Sequence, residues 1–394
     1  MSNEWEKMMV KVKKIICAFA VALMCINFSL KISAADSNDF GQGRELTEIK
    51  ESDLGNSDYG FYEYRGNVAS AEKAVYYKNN GNLHVISANM DNQRLYDYEY
   101  NASFKLISKK NMKLPYNILG DIYVAPDNYI YIAVGQNNLK ENDEQIVVKI
   151  LKYDKSWKLK GTANINGGES NLFKGIYSPF EAGQADMTLQ GNTLILHMAR
   201  KMYKGNDGLR HQSNITFFIN KNTMQLDKGT YYKPYASHSF NQFVRSANGY
   251  TYYVDHGDAY PRSVVMNAVN PSQAGREVDL FSIQGEIGDN YTGLTVNNFE
   301  LSGNKGLIVG SSKPNNYEIN GVKGNNSSMR SNICLITTNS NGDRNSFRWI
   351  TKYNPNTSTT VVSEPKMLKI DENHFVILYG EEYNGANRLC YEGI

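Results

Sequence analysis

The chain predicts an all-β fold, a β-propeller of six blades. Two observations carry this: one short phrase returns six times, and no amphipathic helical run of useful length follows residue 35. The phrase is a polar turn centred on Asn or Gly, then a run of β-branched and aromatic residues. It reads Gly81-Asn82-Leu83-His84-Val85-Ile86 at its first occurrence and Glu372-Asn373-His374-Phe375-Val376-Ile377 at its last. With Asn82, Asn128, Asn192, Gly249, Asn304 and Asn373 as anchors, the spacings are 46, 64, 57, 55 and 69 residues. Each is enough for a four-stranded sheet with loops of varying length. Seven blades is the alternative, if the chain is truncated or if the long final spacing merges two.

The elements follow in order. Lys7, Lys11, Lys13 and Lys14 precede the apolar run Ile15 to Ile26, and Ser33-Ala34-Ala35 precede a polar stretch. That is the layout of a secretory signal peptide over residues 1–35, with an apolar run too short for a lasting membrane span. A secreted or cell-surface chain with no transmembrane segment after cleavage is expected. Residues 36–58 are polar with little periodicity and read as a linker or arm, and 59–394 as the propeller domain.

In each repeat the anchor strand is the second of a blade. A first strand before it carries a polar residue: Asp121, Asp186, Asn241, Asn298 and Lys366. First strands line a propeller's axis, so these five are candidates to face the central channel, the alternative being that they satisfy backbone or water. After each anchor comes a hairpin with a turn rich in Asn, Asp, Gly or Lys, such as Asn220-Lys221-Asn222-Thr223 in the third repeat. The sixth repeat ends after its third strand. Tyr59-Gly60-Phe61-Tyr62-Glu63-Tyr64 has the character of the strand that would close the ring. Cys334 and Cys390 fall on third strands of different blades, too far apart to bridge, and are expected to be buried thiols.

The full chain carries a net charge of +2, which becomes −1 without residues 1–35. Neither value supplies the positive field that nucleic acid or an anionic membrane surface requires. No His-x-x-x-His pair, Gly-x-Ser-x-Gly elbow, phosphate loop or EF-type loop is present. Gly324-Asn325-Asn326-Ser327-Ser328 reads as a long loop.

A site is expected where the loops entering first strands and those joining second to third strands open on one face. Repeat four is unusual at both places, with His238 and Asn241 entering and Asp255, His256, Asp258 and Arg262 joining. Repeat three places Glu181 and Asp186 on the way in, and His197, Arg200, Arg210 and His211 at or after its second strand. His197, His238 and His256 with a carboxylate have the donor types for a divalent metal. The same imidazoles would serve as general acid and base, with Arg200 or Arg262 steadying an anion. The plainer alternative is that Asp255, His256 and Asp258 tie down a turn. His84 and His374 read as partly buried sheet residues outside the cluster.

The signal, the repeat and the phrases His211-Gln212-Ser213, Ser237-His238-Ser239-Phe240-Asn241-Gln242 and Asp255-His256-Gly257-Asp258-Ala259-Tyr260-Pro261-Arg262 resemble secreted or cell-surface β-propeller proteins of Gram-positive bacteria. The likeness covers about residues 59–394. It implies fold and location, and no activity. Two functions fit: an extracellular module binding a surface glycan or a protein partner with exposed Tyr side chains, or a metal-assisted or acid/base carbohydrate-active enzyme, a lyase or hydrolase. A structural envelope or spore component is the third. Convergence of His197, His211, His238 and His256 on one pocket would favour the enzyme.

Overall fold

In a computed structural model, residues 74–169, 175–181, 183–232, 237–270, 273–283, 285–288, 292–312, 332–339, 341–353, 360–362, 365–383 and 386–394 are described. They form 25 strands and, among the described residues, no helix. No described helix is therefore long and apolar enough to cross a membrane. The signal region, the linker, Tyr59 to Tyr64 and the Gly324 to Ser328 loop lie outside the described residues.

The strands form six antiparallel blades in a ring, the third and fourth joined in one nine-stranded sheet. Blade 1 is β1 (Ala74–Asn79), β2 (Asn82–Asn89), β3 (Arg94–Tyr100) and β4 (Leu106–Lys113). Blade 2 is β5 (Ile118–Val124), β6 (Tyr129–Gly135), β7 (Ile146–Asp154) and β8 (Leu159–Asn166). After the short β9 (Ser178–Pro179), blade 3 is β10 (Ala185–Gln190), β11 (Thr193–Lys201), β12 (Gln212–Asn220) and β13 (Gln225–Tyr232). Blade 4 is β14 (Ser237–Ala247), β15 (Tyr250–Ala259), β16 (Arg262–Asn270) and β17 (Gln273–Ser282). Blade 5 is β18 (Leu294–Ser302), β19 (Lys305–Ser312), β20 (Asn332–Thr338) and β21 (Arg344–Trp349). In blade 6, β22 (Val361–Val362) and β23 (Lys366–Lys369) pair with one side of β24 (Phe375–Tyr383), and β25 (Ala386–Gly393) with the other. All six anchors sit in the turn before, or at the start of, a second strand.

Those turns explain why the phrase recurs. Asn80 and Gly81 both have positive φ, as do Asn248 and Gly249, the backbone of a two-residue hairpin turn that Asn-Gly favours. Asp127 and Asp371 instead hold their turns by accepting the N–H two residues on. Second strands are then buried almost throughout, as in β6, whereas outermost strands such as β4 alternate or face solvent.

The core lies between blades. Ile86 and Leu95 of blade 1 pack with Ile132 and Leu151 of blade 2, and Val147 and Ile165 pack with Met187 and Leu196 of blade 3. Val254 and Met266 of blade 4 meet Phe299 and Ile336 of blade 5, and Val309 meets Phe375 and Ile377 of blade 6. Leu368, Val376 and Leu378 take Tyr76 of blade 1 against them, which closes the ring. Between blades 3 and 4 the apolar set is small, with Ile195, Val244 and Tyr253 at its centre. A polar network fills that seam.

Cys334 is buried as expected, but Cys390 on β25 is only half-buried. Both thiols are free.

Candidate functional site

The residues singled out in the sequence divide among three places: the seam between blades 3 and 4, the rim above it, and the axial channel. Successive side chains of a strand point to opposite faces, so Asp255 and His256 of β15 face different neighbours. Asp255 turns to blade 3. His197 Nε2–H donates to its carboxylate at 3.1 Å, and Asn214 Nδ2 and Ser239 Oγ donate at 2.6 Å each. His197 Nδ1 takes the Thr216 hydroxyl at 3.0 Å. Gln242 extends the network, donating to Ser239 Oγ and accepting the Gln184 N–H. His197, Asp255 and Gln242 are fully buried, so the network joins two blades out of reach of solvent.

His256 turns the other way and is also fully buried. Its Nδ1–H donates to Asn241 Oδ1 at 3.1 Å, which also accepts the Val296 N–H of blade 5 at 3.2 Å. Asn241 therefore belongs to the seam between blades 4 and 5. Its expected place in the channel is corrected by a β-bulge between Ser239 and Asn241, which re-aims the strand there.

His238 and His211 occupy the rim. Their rings stack at 5.6 Å, and each has a carboxylate: Asp258 Oδ1 lies 3.3 Å from His238 Nδ1, and His211 Nε2–H donates to Asp207 at 2.6 Å. His238 is about a quarter exposed, whereas Asp258 beneath it is wholly buried. Arg262 pairs with Asp258 across the hairpin and donates to its carbonyl. Gly285 lies so close that a Cβ there would meet the Arg262 Nε at 2.8 Å.

Arg200 is buried elsewhere, donating to the Gly175 carbonyl and to Ser213 Oγ, and burial pushes it down to about 9. Glu181 accepts from Lys201 at 3.1 Å. Four histidines of one face thus resolve into two buried and two at the rim. His197, His238 and His256 each face a different partner. Among the described residues no three His, Cys, Asp or Glu side chains are arranged to hold a metal ion. His84 is buried on Asp97, as expected of a sheet residue; His374 is half-exposed beside Asp371 in the turn before β24.

The channel is the third place. Asp121, Asp186, Asn298 and Lys366 line a cavity of about 320 Å³ on the axis, together with Arg245, Asn297 and Glu300, which the repeat alone did not single out. Stepping by two along β14 from Asn241, or along β18 from Asn298, reaches Arg245 and Glu300, so strand periodicity would have found both. Arg245 bridges Asp186 of blade 3 and Glu300 of blade 5, the latter at 3.0 Å. Burial opposes its charge, but the two carboxylates outweigh that and hold it well above its ordinary value. Burial raises Asp186 against the pull of Arg245 and the Val244 N–H.

Large apolar side chains add a feature of the rim. Leu139 in the β6–β7 loop, Leu209 in the β11–β12 loop, Tyr260 in the β15–β16 turn and Ile287 after β17 are all well exposed. Connections from second to third strands and from one blade to the next share one face, so all four rise on the same side. The loops are braced: Arg210 donates to Glu141 at 2.8 Å and lies 4.0 Å over the Tyr177 ring.

No protein-family model matches the chain, and no curated protein does. Solved structures align with the chain at low similarity. A DUF4221 family member from Bacteroides vulgatus aligns at TM-score 0.44 and 11% identity, covering 86% of this chain and 96% of that one. Kuenenia stuttgartiensis hydrazine synthase aligns at 0.42 and 9%, covering 76% and 73%. A variant of the Synechocystis apocarotenoid oxygenase aligns at 0.40 and 10%, covering 70% of this chain and 59% of that one. Likenesses of this size say nothing of function.

Proposed function

We propose that the protein is a secreted or cell-surface binding module of the Gram-positive kind its sequence resembles, and that it docks a protein partner on the rim of blades 2 to 4. The observation that supports this is the set Leu139, Leu209, Tyr260 and Ile287, exposed on one face of braced loops. Aliphatic side chains held out in water gain by burial against a protein surface, and a braced loop loses little freedom when it binds. Leu and Ile lack the flat ring face on which a sugar stacks, so a protein suits this rim better than a glycan. The test is a partner captured from cell-envelope extract, identified, purified and titrated against the full chain by calorimetry. A Leu209→Glu, Tyr260→Ser variant is expected to bind at least about tenfold more weakly. Equal binding by the variant overturns the reading, and a glycan-array signal lost in the same variant makes the ligand a glycan.

One observation favours the enzyme reading: the partly exposed His238 stands on the buried Asp258, the pairing by which a carboxylate orients an imidazole for proton transfer. Its test is the release of unsaturated uronate products from acidic polysaccharides, abolished in His238→Ala. No product with any polysaccharide of the panel removes this reading.

A further inference from the structure

We infer that the axial channel is a second binding site, independent of the rim, and that its ligand is a small uncharged polyhydroxylated molecule of the size of a sugar ring. The cavity of about 320 Å³ is bounded by first strands of every blade and falls at the low end of the range of ligand pockets.

The wall at blade 5 identifies the ligand chemistry. Asn297 is 2% exposed, and neither its Oδ1 nor its Nδ2 has a hydrogen-bond partner; the Oδ1 of Asn298, 7% exposed, has none either. Val296 pairs with Gly310 and Asn298 with Val309, so Asn297 is the extra residue of a β-bulge. Register shifts recur at the same place in the first strands of blades 2 and 4, where the extra residues are Gly120 and Phe240. Gly120 lies against the Phe180 ring and Phe240 against His256, both filling a packed seam. In blade 5 the extra residue is instead an amide that lines the cavity. Burying a donor and an acceptor without partners weakens the fold, and a ligand that supplies both offsets that cost.

Charge narrows the class. Arg245 is committed to Asp186 and Glu300, and Asp121 leaves the lining with three carboxylates against two cations. An anion gains nothing there. A metal ion lacks a set of three ligating side chains among the described residues. A hydroxyl both donates and accepts, so neighbouring hydroxyls match the paired oxygen and nitrogen of Asn297. Tyr123 and Phe243 also line the cavity.

The experiment titrates the full chain with glucose, galactose, N-acetylglucosamine and myo-inositol by saturation-transfer NMR and calorimetry, with glucuronate and calcium chloride as charged probes. A neutral member is expected to bind, with affinity at least about tenfold lower in Asn297→Leu and an unfolding midpoint no lower than wild type. Asn298→Ser, at the edge of the same wall, provides the same comparison should Asn297→Leu not fold. The Leu209→Glu, Tyr260→Ser rim variant is expected to keep this binding, which separates the site from the docking face. No binding by any neutral probe, binding of glucuronate or calcium alone, or undiminished affinity in both Asn variants overturns the inference.

Discussion

The Nε2 of His197 on blade 3 lies 3.1 Å from the Asp255 carboxylate on blade 4, and neither side chain is exposed to solvent. The contact stands where other seams of the ring carry aliphatic and aromatic packing. Asp255→Ala strips the acceptor from His197, Asn214 and Ser239 at once. It is expected to destabilise the protein by about 3–5 kcal/mol, read as a lower urea midpoint with an unchanged slope.

Arg245→Met leaves Asp186 and Glu300 without their shared cation. A cost of about 3 kcal/mol is expected at neutral pH. The burial that already raises Asp186 then loses the opposing pull of Arg245, with the Val244 N–H still accepted, so its folded carboxyl stands further above its unfolded value. A raised carboxyl makes the folded state hold its proton more tightly. Stability should therefore be regained as pH falls through that raised value toward about 4, and lost as pH rises. Urea unfolding at a series of pH values checks the sign; a variant that weakens further on acidification refutes it.

Gly310 of β19 sits where a Cβ would lie 2.5 Å from the Thr295 carbonyl oxygen of the paired strand. Backbone cannot swing aside as a side chain does. Gly310→Ala should cost about 1–3 kcal/mol by overpacking, measured as a fall in the thermal midpoint.

Burial pushes the Cys334 thiol up to about 12, and burial with Glu381 does the same for Cys390. At pH 8 about one thiol in ten thousand is then thiolate, the form that reacts. Iodoacetamide followed by peptide mapping should find both residues unmodified in the native protein and modified in urea. Native labelling of Cys334 at the rate seen in urea would contradict its placement.

Much of the ring was legible in the sequence because its signals are local. A residue that tolerates positive φ, followed by a run of strand formers, is a statement about a few neighbouring residues, and every anchor from Asn82 to Asn373 preceded or began a second strand. The site was less legible. Whether His197 reaches solvent depends on β14 and β15, some 40 to 60 residues further on. Asn241 left the axis through a bulge that no period-two reading anticipates, and the same irregularity brought Asn297 in. The eight-residue phrase ending in Arg262 looked like an open loop, but β15 and β16 continue almost to its tip.

Ser213 of β12 pairs with Ser237 of β14, so blades 3 and 4 form one continuous nine-stranded sheet rather than two abutting ones. A propeller of separate sheets can part at a seam by sliding side chains past one another, with no amide bond broken. Here a ladder rung and the buried carboxylate network must open together. The pair should behave as one cooperative unit, its amides exchanging with deuterium at a common, slow rate.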